Sequence, residues 1–163
     1  MGVLIINPEP RPALGVDFTT YAAVWAEKQP HRALPRPLLS GTLFVDESGD
    51  RARELSAKYH RHSFKAADFG TTKGNEYYAR MKIAPDKIEA MAEQMGTVMP
   101  AGTPTEVLTQ LENINRSIGL QGFFPHFHFG PMPREEAVRN LRLFAAKCLP
   151  EVKSWPAERS FGV

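Results

Sequence analysis

The sequence has a single cysteine, Cys148, among its 163 residues. One cysteine cannot form an internal disulfide bond. Its position on the apolar face of a predicted helix indicates a small buried hydrophobic residue instead of a catalytic thiol. A chain that does not use disulfides for stability is typical of a reducing environment, so we expect a cytoplasmic protein.

Long apolar runs and a strong charge are missing as well. Residues 3–6, for example, form an apolar run far too short to span a bilayer, and we expect neither a membrane segment nor a signal peptide. The formal net charge is only +2, and basic residues are interspersed with acidic ones. This pattern argues against nucleic acid or an anionic membrane as a partner.

The clearest local pattern begins at Gly102, in the last third of the chain. Thr103 and Glu106 have the spacing of a capping box, in which a hydroxyl and a carboxylate satisfy backbone N–H groups at the start of a helix. Apolar residues then recur at helical spacing up to Gly119, which fits the left-handed position that ends a helix. The sequence therefore predicts a helix over about 104–118.

A strand and a second helix are predicted after this helix. The Phe-rich run 120–129 has no helical period and predicts a buried strand. Pro133 and the two glutamates after it predict the start of a helix that Pro150 ends. The expected apolar stripe of that helix consists of Ala137, Val138, Leu141, Phe144, Ala145 and Cys148.

Two further strand–helix units are predicted earlier in the chain. The expected elements are a proline-rich loop at 7–17, strands at 3–7 and 38–46, and helices at 18–28, capped by Asp17, and at 48–62. Residues 65–82 read as a long loop, of the kind that often forms a lid, and 85–94 as a short helix. Strands that are each followed by a helix are typical of an α/β protein with right-handed parallel crossovers.

Three parallel strands make a poor independent sheet, because two long edges stay unpaired. A complete (β/α)₈ barrel typically needs about 250 residues. We therefore expect an α/β fold of TIM-barrel type that contains only the last three β/α units, a partial barrel. Residues 1–155 are expected to form this part of the barrel domain, and residues 156–163 a tail.

Four segments carry a resemblance to a known family, through their order and spacing. They are LII at 4–6 with Tyr21 and Trp25, FVDES at 44–48 leading into DRAREL at 50–55, TKGNEYY at 72–78, and GTP at 102–104 with GPMP at 130–133, LFA at 143–145 and LP at 149–150. In these segments the chain resembles the C-terminal part of the bacterial luciferase-like flavin-dependent monooxygenases. The resemblance extends over nearly the whole chain, up to about Trp155.

The resemblance implies an enzyme with a TIM-barrel fold, of which this chain resembles strands six to eight. It implies an oxidoreductase that uses reduced FMN and O₂ on a small organic substrate at the C-terminal mouth of the barrel. A flavin reductase and a second copy of the chain are implied partners. Some relatives use F420, but the sequence has no strongly basic pocket, so we expect FMN. Much of the family's flavin-phosphate site comes from earlier strands, so we expect this chain to hold an incomplete site.

The residues predicted to bind the cofactor are His62, Ser63, Lys73, His126 and His128. The last two are two positions apart, so they share one face of the predicted strand, at the barrel mouth. The resemblance places the helix end at His62 and Ser63 near the flavin, and Lys73 in a lid loop over it. No catalytic residue is assigned.

Each of these predictions has a structural alternative. The two strand histidines can make ordinary hydrogen bonds, and the loop around Lys73 can be a plain polar loop. The helix end can be a solvated, charged terminus, because His60 and Arg61 are adjacent to it. Asp46 and Glu47 form a carboxylate pair suited to acid–base chemistry, but with Ser48 they more readily cap the next helix.

Three other functions stay open at this point. The chain can be a non-catalytic structural module that completes a barrel with an N-terminal partner, or a truncated relic. It can also be part of an unrelated TIM-barrel hydrolase that uses His126 and His128 with a metal. An H-x-H pair needs a third ligand, however, and the sequence shows none clearly, so we expect no metal.

Overall fold

The computed structural model describes residues 4–5, 11–66, 90 and 98–155 of the chain. Its strands are β1 (Leu4–Ile5), β2 (Leu38–Thr42), β3 (Phe44–Val45), β4 (Ala101–Gly102) and β5 (Gly122–His126). Its helices are α1 (Arg11–Lys28), α2 (Gly49–Ala66), α3 (Pro104–Ile118), α4 (Arg134–Lys147) and α5 (Leu149–Ser154). Helices and parallel strands in this order confirm the predicted α/β class.

The strands form two parallel ladders. One has the order β1-β2-β5, with Leu38 opposite Gly122, and the other pairs β3 with β4. The Leu43 N–H donates to the His126 carbonyl at 3.2 Å, so β2 and β5 stay joined just past the end of β2. The prediction of one strand over 38–46 is wrong, because the chain changes ladders at Leu43. The short β4 has no counterpart among the predicted strands.

Helices α1, α3 and α4 cover one face of β2 and β3, and α2 covers Phe44 on the other face of β3. Side chains alternate along a strand, and Leu39 packs on the first of these faces against Phe18 of α1 and against Ile114 and Ile118 of α3. A second buried cluster joins β3 and α3 to α4, and it consists of Leu43, Val45, Val107, Leu111, Phe144 and Cys148. Cys148 is buried, which confirms the predicted position, and burial raises the pKa of its thiol to about 11.

The start and end of α3 confirm the predicted capping box and the predicted left-handed glycine. Thr103 donates its backbone N–H to the Glu106 carboxylate at 2.7 Å, and its hydroxyl accepts the Glu106 N–H at 3.3 Å. Gly119 ends the helix in the left-handed conformation, at φ 56° and ψ 60°. Both features depend only on neighbours in the sequence, which explains why they can be predicted from it.

Helix α1 begins earlier than the sequence predicts. It starts at Arg11, so the proline-rich loop predicted over 7–17 is wrong from that residue onward, and Asp17 lies inside the helix instead of capping it. Pro12 is tolerated there because the first turn of a helix needs no backbone N–H bond. No described helix is both long and apolar enough to cross a membrane.

Helix α4 also departs from the prediction. It ends at Lys147, and Pro150 lies in the first turn of α5 instead of closing α4. Leu141 is 47% exposed, although it belongs to the predicted apolar stripe, whereas Asn140 is only 1% exposed. The predicted tail 156–163 and most of the loop and helix predicted over 65–94 lie outside the described residues, so those predictions stay untested.

The buried amide of Asn140 connects α4 to both ladders. Its oxygen Oδ1 accepts the Val45 N–H at 2.8 Å. Its nitrogen Nδ2 donates to the Leu43 carbonyl at 2.7 Å and to the Phe127 carbonyl at 3.3 Å. These backbone groups lie where the chain leaves β2 for β3 and where it leaves β5, so one side chain holds that junction together.

We expect Asn140→Ala to lower the free energy of unfolding by about 2–4 kcal/mol, because buried backbone groups lose their partners. Asn140→Asp keeps an acceptor for Val45 but loses both donated bonds, so it should also destabilise. Leu141→Ala, at the exposed neighbouring position of the same helix, should cost less than about 1 kcal/mol. Urea unfolding of the three variants tests this, and equal costs at positions 140 and 141 contradict it.

Candidate functional site

The carboxyl ends of β2 and β5 lie side by side. Thr42, the last residue of β2, is in register with His126, the last residue of β5. Ligands of parallel α/β folds bind at this end of the strands, where the loops leave the sheet. The polar side chains gathered here make it the candidate site.

An exposed face of the sheet carries a hydroxyl–imidazole pair next to an aromatic ring. Ser40 is in register with Phe124, which places His126 diagonally across from Ser40 on the same face. The Ser40 Oγ lies 2.8 Å from the His126 Nε2. Phe124 is 54% exposed, and His126 is exposed as well. This face, defined by Ser40, Phe124 and His126, is called the open face below.

A second histidine lies buried beside the end of β2. The His60 Nε2 on α2 is 2.8 Å from the Thr42 Oγ1, and the His60 Nδ1 is 3.4 Å from the Ser56 Oγ. The ring also stacks on Phe129, with centroids 4.5 Å apart. Burial lowers the pKa of His60 from 6.5 to about 4, so the ring is neutral near pH 7.

The alternative of a solvated, charged helix end is wrong for His60, because the residue is only 2% exposed. The spacing of Ala52, Ser56 and Tyr59 along α2 could have indicated it, since His60 follows Ser56 by one turn and adjoins Tyr59. No sequence pattern around Thr42 or Ser40 indicates the contacts that these two residues make. Their partners come from residues distant in the sequence, and only the register of the sheet brings them together.

Two of the other predicted cofactor contacts, His62 and His128, make hydrogen bonds outside the open face. His62 is exposed on α2 and donates Nδ1–H to the Lys58 carbonyl at 2.9 Å. Ser63 lies on the same helix, its side chain outside the described part, and Lys73 lies outside the described residues. His128 follows the end of β5 and donates Nε2–H to the Met132 carbonyl at 3.0 Å, so it does not share the strand face of His126 as expected.

Asp46, directly after β3, has a structural role. Its Oδ1 accepts the Ser48 N–H at 3.0 Å, and the Ser48 hydroxyl in turn accepts the Arg51 N–H at 3.3 Å at the start of α2. These contacts confirm the capping interpretation. The Asp46 carboxylate also pairs with the guanidinium groups of Arg51 and Arg139, and Arg51 reaches both Glu136 oxygens at 3.0 Å. The cluster ties α2 to α4.

The described residues contain no group of three or more His, Cys, Asp or Glu side chains that could hold a metal ion. His126 and His128 make separate hydrogen bonds, to a hydroxyl and to a carbonyl. Within the described part of the chain the pair therefore has no third ligand, which a protein zinc site requires.

No protein-family model matches the chain. No curated protein matches it significantly either. The information from known proteins therefore comes from comparison of folds.

Three solved structures are similar over almost the whole chain. Monooxygenase RslO1 from Streptomyces bottropensis aligns with 93% of it, at 20% identity and a TM-score of 0.61. EDTA monooxygenase (EmoA) from Chelativorans sp. BNC1 aligns with 96%, at 17% identity and a TM-score of 0.53. Riboflavin lyase (RcaE), solved with a modified FMN and its substrate riboflavin, aligns with 93%, at 16% identity and a TM-score of 0.55.

At these identities the likeness is one of fold. This likeness of fold confirms the predicted resemblance to the luciferase-like flavin monooxygenases. The chain covers 42%, 44% and 38% of these three proteins, so it spans about two fifths of the length of each.

The buried His60 predicts a pH dependence of stability. The unfolded chain binds a proton on this ring below about pH 6.5, and the folded protein only below about pH 4. Protonation in this interval therefore favours the unfolded state. The stabilisation from the neutral ring is complete above pH 6.5, and about 3 kcal/mol is lost as the pH falls to 4.

Urea unfolding at several pH values between 4 and 7 tests this effect of His60. His60→Gln should flatten the dependence relative to the wild type, because glutamine does not titrate. His31→Gln, at an exposed position before β2, should leave the slope unchanged. A His60→Gln variant with the wild-type slope contradicts the assignment.

Proposed function

We propose that this chain forms part of the active site of a flavin-dependent monooxygenase, which uses reduced FMN and O₂ to oxidise a small organic substrate. The observation that carries the proposal is the open face, a hydroxyl–imidazole pair beside an exposed aromatic ring at the carboxyl end of parallel strands. The fold likeness to two monooxygenases and a riboflavin lyase supports it. A flavin reductase is the expected source of the reduced cofactor.

The residues of the open face suit one side of a flavin ring. Phe124 offers an aromatic surface on which a planar ring can stack. The Ser40 hydroxyl is hydrogen-bonded to the His126 Nε2. The Nδ1 atom of the imidazole is therefore the one that can form a hydrogen bond with a ligand. Since a hydroxyl both donates and accepts, the pair tolerates either imidazole tautomer. Bound reduced flavin supplies the electrons, and the protein positions the ring and excludes water.

A partial barrel follows from the same proposal. Parallel sheets are normally covered on both faces, yet Phe124 projects from β5 with 54% of its surface exposed. In a TIM barrel the face opposite the helices turns toward the barrel interior. We propose that the open face is such an interior face and that five further β/α units, outside this sequence, complete the barrel. His62, Ser63, Lys73 and His128 remain predicted cofactor contacts.

A second candidate is a non-catalytic module that completes a barrel with a partner. The coverage of only about two fifths of each similar protein favours it. The exposed Phe124 fits both candidates, because it can be covered by flavin or by the partner's side chains. Flavin binding by this chain separates the two.

We expect reduced FMN to bind the chain under anaerobic conditions and His126→Ala to weaken binding about 5- to 30-fold, as the loss of one hydrogen bond to the ligand implies. Phe124→Ala should weaken it as well, because the stacking surface is removed. His31→Ala, outside the open face, is the matched control and should bind like the wild type. Isothermal titration calorimetry measures all four proteins.

Two results of this titration count against the first candidate. Wild-type affinity in His126→Ala rules out the open face as the flavin contact. Absence of flavin binding by the wild-type chain, with folding intact by circular dichroism, favours the structural module.

A further inference from the structure

A cavity of about 700 Å³ lies on the helix-covered side of β5. Phe123 and Pro125 line it, and the alternation of the strand places them on the face opposite to Phe124 and His126. The cavity is therefore separate from the open face. Its volume falls in the range of small-molecule pockets, about 300–1,000 Å³.

The walls of this cavity are mainly apolar and partly aromatic. Leu111 of α3 and Phe144 of α4 are buried in its wall, and Val152 and Trp155 line it at the end of α5. Phe123 packs against two of the hydrophobic clusters, so the cavity lies where they meet. An occupant with a flat apolar body gains contact with aromatic rings on several sides.

One polar group in the wall has an unmet hydrogen bond. Asn115 of α3 lines the cavity, and its oxygen Oδ1 is the buried side-chain polar atom without a hydrogen-bond partner among the described residues. Such an atom costs about 1–3 kcal/mol relative to one that is paired. Rotation about the last torsion of an asparagine is broad and cheap, so a bound donor can draw Oδ1 into the cavity.

The presence of Arg36 at the rim of the cavity does not require an anionic ligand. Its guanidinium donates to the Gly119 carbonyl at 3.1 Å and to the Leu120 carbonyl, just past the end of α3. A cation at the C-terminal end of a helix is stabilised by the negative end of the helix dipole. The guanidinium N–H groups are thus already used by backbone carbonyls, and a neutral ligand is compatible with the rim.

We infer that this cavity binds a neutral, mainly apolar small molecule that donates one hydrogen bond to Asn115. The body of the ligand fills the aromatic space, and an O–H or N–H group meets the Asn115 Oδ1. The inference rests on the cavity and its unpaired acceptor, and it is independent of flavin binding at the open face.

A matched pair of probes tests the hydrogen bond directly. 2-Naphthol carries a hydroxyl donor on a flat apolar body, and 2-methoxynaphthalene has the same body without a donor. We expect the wild-type chain to bind 2-naphthol about 10-fold more tightly in calorimetric titration. The ether is the more apolar of the two, so apolar burial alone predicts the opposite order. Equal affinities, or no binding of 2-naphthol, overturn the inference.

Two variants test whether the preference for 2-naphthol depends on Asn115. Asn115→Leu removes the acceptor at nearly constant volume, and it should abolish the preference for 2-naphthol. Asn113→Leu, at an exposed position of the same helix, should retain it. Circular dichroism checks that both variants fold, and the comparison of the two probes on the wild type does not depend on either. An unchanged preference in folded Asn115→Leu also overturns the inference.

Discussion

The arrangement of the strands depends on one buried amide. The chain passes from the β2–β5 ladder to the β3–β4 ladder at Leu43, and a change of ladder leaves backbone groups without strand partners. Asn140 supplies them, with one accepted and two donated hydrogen bonds, from a side chain that is 1% exposed. Buried backbone groups must be paired. The same amide therefore holds α4 against the sheet where β2 and β5 end.

The two faces of the sheet differ because helices α1, α3 and α4 cover one of them, whereas α2 covers the other only at Thr42 and Phe44. Leu39, Leu43 and Val45 pack under α1, α3 and α4, whereas Ser40, Phe124 and His126 stay accessible on the open face. Parallel strands place the ends of β2 and β5 together, and this brings a hydroxyl, an imidazole and an aromatic ring to one edge. The resulting surface is polar enough to orient a ligand and aromatic enough to stack on it.

Features set by local neighbours could be predicted from the sequence. The capping box of Thr103 and Glu106 and the left-handed Gly119 each depend on residues within one turn, and Cys148 lies on an apolar helix face. The roles of Asn140 and His60 could not be predicted, because their partners Val45 and Thr42 lie on separate strands or helices. For His60 the spacing along α2 indicates burial, but it does not indicate the partner.

The most direct test of the account is a map of where reduced FMN meets the chain. Amide chemical shifts of the ¹⁵N-labelled protein, recorded during anaerobic titration with reduced FMN, provide this map residue by residue. The account predicts that the changes cluster at residues 40–42 and 124–130, at the carboxyl ends of β2 and β5, and spare α1 and α5. Changes confined to the helix-covered side of the sheet contradict it.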